Sequence, residues 1–192
     1  MHNIVIWGKT SYKWLWIPLA KKMKEEHRAR IHFLCTNDRG VAYWKKQDVE
    51  GIIDSYTTTN HFFSEYDRCS MSEKDIYSQA REYEQRYETL VTDALQTDRH
   101  LGRGFSAGGI GHPRSRLSEK ANYAQSVNFF NRTIKFWEEY FDLTKPDLII
   151  GIVASVLGKT CTVVARQRGI PTRVLLQSRY RSYVSWATDE YY

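Results

Sequence analysis

Residues 97–116 read TDRHLGRGFSAGGIGHPRSR. Arg99, Arg103, Arg114 and Arg116 are set there among glycines, together with His100 and His112. Guanidinium groups offer forked donors that match phosphate or carboxylate oxygens. Glycine lets backbone N–H groups come close to a ligand. Imidazoles titrate near neutrality and can act as acid or base. Long loops inside compact domains are commonly functional, and an anion-binding loop is the expectation here; a plain surface loop is the alternative. The run Gly102 to Ala107 has GxGxxA spacing, but it follows a helical stretch rather than a strand, so a dinucleotide reading lacks its context.

A second polar group follows the first apolar run. Asn3 to Trp7 reads as a strand closed by Gly8, with Lys9, Thr10 and Ser11 just beyond it. In open α/β sheets, ligands bind outside the carboxyl ends of strands. Lys9, Thr10 and Ser11 can hold an anion there with the help of helix N–H groups, or they form a polar turn and helix cap. The single glycine after Trp7 does not make a GxGxxG, so an NAD site is not expected. A third group, Ser155, Gln177 and Arg179, falls at the same predicted edge.

The elements that must position these groups are legible from periodicity. Leu148-Ile149-Ile150 is a short apolar run, as expected of a parallel strand buried on both faces. Val153 to Ala165 keeps helical spacing, and Arg166 to Gly169 ends that helix. Thr172 to Leu176 is the next strand. A parallel pair joined by a helix implies a βαβ crossover. Ile31 to Cys35 and Gly51 to Tyr56 are expected as two further strands, with a short helix, Val41 to Gln47, between them. A helix to about His27 is expected to carry Pro18 in its first turn, and its Trp14 and Trp16 to be core. Long helices are expected from Ser72 to about Gln96 and from Ser118 to about Phe141. Gly158-Lys159-Thr160 lacks the glycine spacing of a P-loop, and Lys159 falls within a helical pattern.

The fold expected is α/β, a Rossmann-like three-layer sandwich with a mostly parallel sheet and helices on both faces. One domain over residues 1–192 suits the length. Hydrophobic residues make up 42% of the chain, which favours a globular core over disorder. A net charge of +6 favours an anionic partner such as phosphate, nucleotide, acidic glycan or nucleic acid. Cys35, Cys69 and Cys161 are odd in number and widely separated, which suits a reducing cytoplasm and suggests no zinc site. MHNIVIWGKT is not expected to be a signal peptide. The longest apolar run, residues 148–158, is too short to span a bilayer.

Five segments taken together carry a resemblance: NIVIWG, KPDLIIG, ARQRGIPTRVLL, RYRSYVSWATDEYY and DRHLGRG. They resemble the N-terminal half of surface-polysaccharide synthesis proteins, among them capsule-synthesis glycosyltransferases of the GT-B architecture with two Rossmann-like domains. The resemblance implies a domain that faces a sugar or sugar-phosphate acceptor. It also implies a second, donor-binding half or separate partner chain that takes the nucleotide sugar, and a chain that does not transfer sugar alone. By the same resemblance Asp98, His100 or His112 would be the base acting on an acceptor hydroxyl. The arginines would hold a phosphate or an acidic sugar. No metal is implied, because Asp-x-Asp does not occur. A cytoplasmic location, free or peripheral at the inner membrane face, goes with this reading.

Two other readings stay open. A basic domain with a Gly/Arg loop can bind nucleic acid through phosphate contacts and base stacking, but the cations are spread along the chain and the aromatics fall mainly on core stripes. A non-catalytic interaction domain would use Trp186, Tyr191 and Tyr192 as a surface covered by a partner.

Overall fold

The computed structural model describes residues 1–8, 12–59, 70–96, 98, 123–151, 155–177 and 183–188. In these the strands are β1 (Asn3–Trp7), β2 (Arg30–Cys35), β3 (Ser55–Thr58), β4 (Leu148–Ile150), β5 (Thr172–Gln177) and β6 (Val184–Ala187). The helices are α1 (Lys13–His27), α2 (Asp38–Gln47), α3 (Glu73–Tyr87), α4 (Val91–Gln96), α5 (Tyr123–Thr144) and α6 (Val156–Gln167). The protein is α/β with one six-stranded, mostly parallel sheet in the order β3-β2-β1-β4-β5-β6. Strands β1 to β5 pair in parallel and β6 returns antiparallel to β5. That order is consistent with a Rossmann-like sandwich.

The chain divides into two compact units. The first comprises Met1–Phe63, Tyr140–Ile152 and Gly169–Tyr192, and it contains the whole sheet. Its core gathers Ile4, Ile6, Ile31 and Phe33 from the central strands with Trp16, Ala20 and Trp44 from α1 and α2. Trp16 and Trp44 are fully buried, whereas Trp14 is exposed; only one of the two tryptophans of α1 is core. Asn3 ties the start of the sheet together: its N–H donates to Asp147 Oδ2 at 2.7 Å and its Nδ2 donates to the Lys145 carbonyl.

The second unit comprises Ser64–Glu139 and Val153–Arg168 and is helical in its described parts. Ser72 caps α3, accepting the Asp75 N–H as the sequence suggests. Phe129, Phe130, Ile134 and Trp137 of α5 are buried, and Trp137 Nε1 donates to the Leu157 carbonyl of α6 at 2.8 Å. Asn131 Nδ2 donates to the Ile76 carbonyl of α3. Tyr87 Oη and Arg86 Nη1 both donate to Glu138 Oε1, at 2.6 and 2.9 Å.

Several elements differ from the sequence expectation, two of them for a visible reason. Strand β3 begins at Ser55 rather than Gly51, because the Asp48 carboxylate takes the N–H groups of Ile52 and Ile53 and keeps them off the ladder. The helix expected from Ser72 to Gln96 is broken at Glu88, whose φ of 47° lies in the left-handed region. Both Glu88 and Thr89 donate their N–H to the Glu84 carbonyl, and Glu84 Oε1 accepts the Val91 N–H that opens α4. Pro18 lies inside α1 rather than in its first turn, so the Trp14 carbonyl loses its intrahelical donor. Residues 184–187, within the RYRSYVSWATDEYY segment, form β6, with Val174 opposite Ala187 and Gln177 opposite Val184. The predicted start of α5 at Ser118 falls outside the described residues.

Candidate functional site

Strand order reverses at β1. From β1 the sheet grows through β2 and β3 on one side and through β4 and β5 on the other. The carboxyl ends of β1 and β4 flank this switch point, where open α/β sheets form their ligand crevice. Each strand ends in a glycine. Gly8 donates its N–H to the Leu34 carbonyl at 3.2 Å, and Gly151 donates to the Arg173 carbonyl at 2.8 Å.

Both glycines are required by packing. A Cβ on Gly8 would lie 1.9 Å from Phe33 Cζ. Gly151 has φ of +88°, and a Cβ there would lie 2.6 Å from the Trp7 carbonyl oxygen and 3.1 Å from the tip of Trp16. The absence of side chains at this edge therefore lets Phe33 and Trp16 close in beneath it. Gln177, the last residue of β5, sits at the carboxyl end of its strand, but β5 is followed by β6 and is not the final strand.

In the second unit the structure brings together two residues that the sequence reading kept apart. Ser155 is the N-cap of α6, accepting the Gly158 N–H at 3.2 Å. Asp98 is buried, and its Oδ2 accepts the N–H of Val156, the first residue of α6, at 3.4 Å. A helix N-terminus carries unsatisfied N–H groups and a partial positive charge, so a carboxyl oxygen is well placed there. Asp98 Oδ2 is thus placed against the first turn of α6. Nothing in the linear sequence pointed to the contact, because 58 residues separate the partners. Lys159 lies within α6 and its N–H donates to the Ser155 carbonyl, as the helical reading of that stretch required.

Lys9, Thr10, Ser11, Arg99, His100, Arg103, His112, Arg114, Arg116 and Arg179 lie outside the described residues. Cys35 is buried, and burial pushes its thiol up to about 12, which keeps it protonated and unreactive. Cys161 is buried too. Among the described residues, no group of three His, Cys, Asp or Glu side chains is close enough to hold a metal ion. No helix among them is long and apolar enough to cross a membrane. Comparison of the chain with models of known families, with curated proteins and with solved structures gives no match.

Proposed function

We propose that the chain is the acceptor-side, Rossmann-like part of a glycosyltransferase-like protein of surface-polysaccharide synthesis, and that it binds a phosphorylated or acidic sugar. The observation that carries this reading is the switch point between β1 and β4, with Gly8 and Gly151 ending the two strands. The Gly/Arg-rich stretch 97–116 supplies the chemistry an anionic sugar needs. A nucleotide sugar would be the donor, held by a second domain or a partner chain; without that part, transfer is not expected. The site would act from the cytoplasmic side, free or peripheral at the membrane.

In such a reaction a base takes the acceptor hydroxyl proton as the oxygen attacks the anomeric carbon and the nucleoside diphosphate leaves. Asp98 is buried against the first turn of α6, so we assign it a positioning role and leave His100 and His112 as the candidate bases.

Calorimetric titration with glucose 1-phosphate, N-acetylglucosamine 1-phosphate and glucuronate tests the reading, with single-stranded DNA as the competing ligand. Saturable binding of one sugar, with weak and steeply salt-dependent binding of DNA, supports it. Tight DNA binding at low salt with no sugar binding overturns it in favour of a nucleic-acid module. One observation favours a third reading, a protein-interaction domain: Trp186 on β6 and Tyr183 before it are 47% and 62% exposed. Binding of neither sugar nor DNA would leave that reading standing.

A further inference from the structure

The amino ends of β2 and β3, opposite the edge discussed above, border a cavity of about 310 Å³. Lys24 and Arg28 from the end of α1, Ala29, Arg30 at the start of β2, Asp54 just before β3, and Met1 line it. The volume falls at the lower end of the range for small-molecule sites. Three cationic residues and one carboxylate are among its lining, and that carboxylate is already engaged. Asp54 accepts from Lys24 Nζ at 3.1 Å through both oxygens, and its Oδ2 accepts the Ile31 N–H at 2.8 Å. Lys24 Nζ also donates to the Ile52 carbonyl at 2.7 Å. Arg28 and Arg30 are left with no carboxylate partner among the described residues.

A helix C-terminus attracts cations, and that accounts for Lys24, His27 and the position of Arg28. It does not account for Arg30, which follows the helix and belongs to the strand. Arg28 is the C-cap of α1 with φ of 51°, a left-handed conformation that glycine adopts without cost. Glu88 and Lys145 share that backbone conformation, so it marks nothing by itself. Arg28 differs from them in lining a cavity with a second arginine that has no carboxylate partner among the described residues. The negative end of α1 is partly answered from within, because the Met23 carbonyl accepts the N–H groups of both Arg28 and Ala29.

We infer that this cavity is a second anion site, taking the phosphate group of a small phosphomonoester between Arg28 and Arg30, with Lys24 held beside it by Asp54. The inference does not depend on the proposed function, since it uses the other end of the sheet. The test uses the full chain and inorganic phosphate, with chloride at equal ionic strength as the control. Amide shifts of Arg28, Ala29, Arg30 and Asp54 are followed by NMR together with the melting temperature. Saturable shifts at these amides with phosphate and not with chloride are expected. Arg30→Gln is expected to weaken binding about tenfold, as loss of one charge-assisted contact does. Arg28→Gly is the decisive variant: it relieves the left-handed backbone, so its melting temperature should not fall, yet binding should weaken by a similar factor. Shifts that rise linearly with phosphate, or that survive in the Arg28→Gly, Arg30→Gln double variant, overturn the inference. So does an equal response to chloride.

Discussion

The ring of Phe33 occupies the space that a side chain on Gly8 would need. Gly8 directly follows β1 and Phe33 lies on the adjacent parallel strand β2, and a Cβ on Gly8 would lie 1.9 Å from Phe33 Cζ. The glycine that closes the first strand at the predicted ligand edge is thus also fixed by the core. Gly8→Ala is expected to cost about 1–3 kcal/mol in chemical denaturation, as overpacking does. Adding Phe33→Leu should recover part of that loss, because it empties the contested space. Additive losses would show that the two positions do not share it.

Gly151 carries a heavier constraint. Its neighbour is a backbone carbonyl, which cannot swing aside, and its φ is +88°. Gly151→Ala should destabilise by about 3 kcal/mol or more, from left-handed strain plus the clash. Gly169 provides the control, with φ of +67° and open space around its Cα. Gly169→Ala should cost only about 1–2 kcal/mol. Equal losses at the two positions would mean that the Trp7 carbonyl contact contributes nothing.

Asp98 and Ser155 serve the same helix turn. Ser155→Ala should cost about 1 kcal/mol through the lost cap. Asp98→Ala should cost about 1–3 kcal/mol by leaving the buried Val156 N–H without its acceptor. Their combination is expected to be non-additive, since both mutations fray the start of α6. Helix-specific hydrogen exchange at residues 156–160 reads this directly.

The Tyr87–Glu138 bond joins α3 to α5 at 2.6 Å with Tyr87 buried. Burial, then the bond to Glu138, pushes the Tyr87 hydroxyl above its ordinary range. A double-mutant cycle with Tyr87→Phe and Glu138→Gln should give a coupling of about 1 kcal/mol. Arg86 shares the same carboxylate oxygen, so Glu138→Gln alone should be the more damaging change.

Much of this fold is legible in the sequence. Apolar runs such as Ile4-Val5-Ile6 and Leu148-Ile149-Ile150 are buried parallel strands, and their spacing by helices set the α/β class. Ser72 and Ser155 announce their helices because a cap is a local interaction. What escaped was non-local or lacked an apolar signature. The Asp98 contact joins residues far apart in sequence. Asp48 shortens β3 with a side chain that periodicity ignores. Strand β6, Val-Ser-Trp-Ala, is too short and mixed to stand out without β5 beside it.

His32 gives the fold an acid-side sensitivity. Its Nδ1 lies 2.8 Å from Ser55 Oγ, and its Nε2 is buried without a hydrogen-bond partner among the described residues. Burial, reinforced by the Arg30 charge and opposed by Asp54, holds its pKa below the ordinary 6.5. The unfolded chain therefore binds the proton more readily than the folded one. Stability is full above pH 6.5 as far as this group is concerned, and declines as pH falls through the folded value. His32→Gln should flatten that decline in urea midpoints measured between about pH 7.5 and about pH 5, a range that spans the ordinary imidazole pKa and the region below it. An unchanged slope would assign the acid sensitivity to other groups.

The central claim is that an anionic sugar binds at the carboxyl ends of β1 and β4. The most direct measurement is amide chemical-shift mapping with glucose 1-phosphate in the Arg28→Gly, Arg30→Gln variant, in which the amino-edge cavity has lost both guanidiniums. The account predicts saturable shifts at Gly8 and Gly151, with Arg173 following through its bond to Gly151. Amides at both glycines that stay unmoved at saturating glucose 1-phosphate, N-acetylglucosamine 1-phosphate and glucuronate would contradict it.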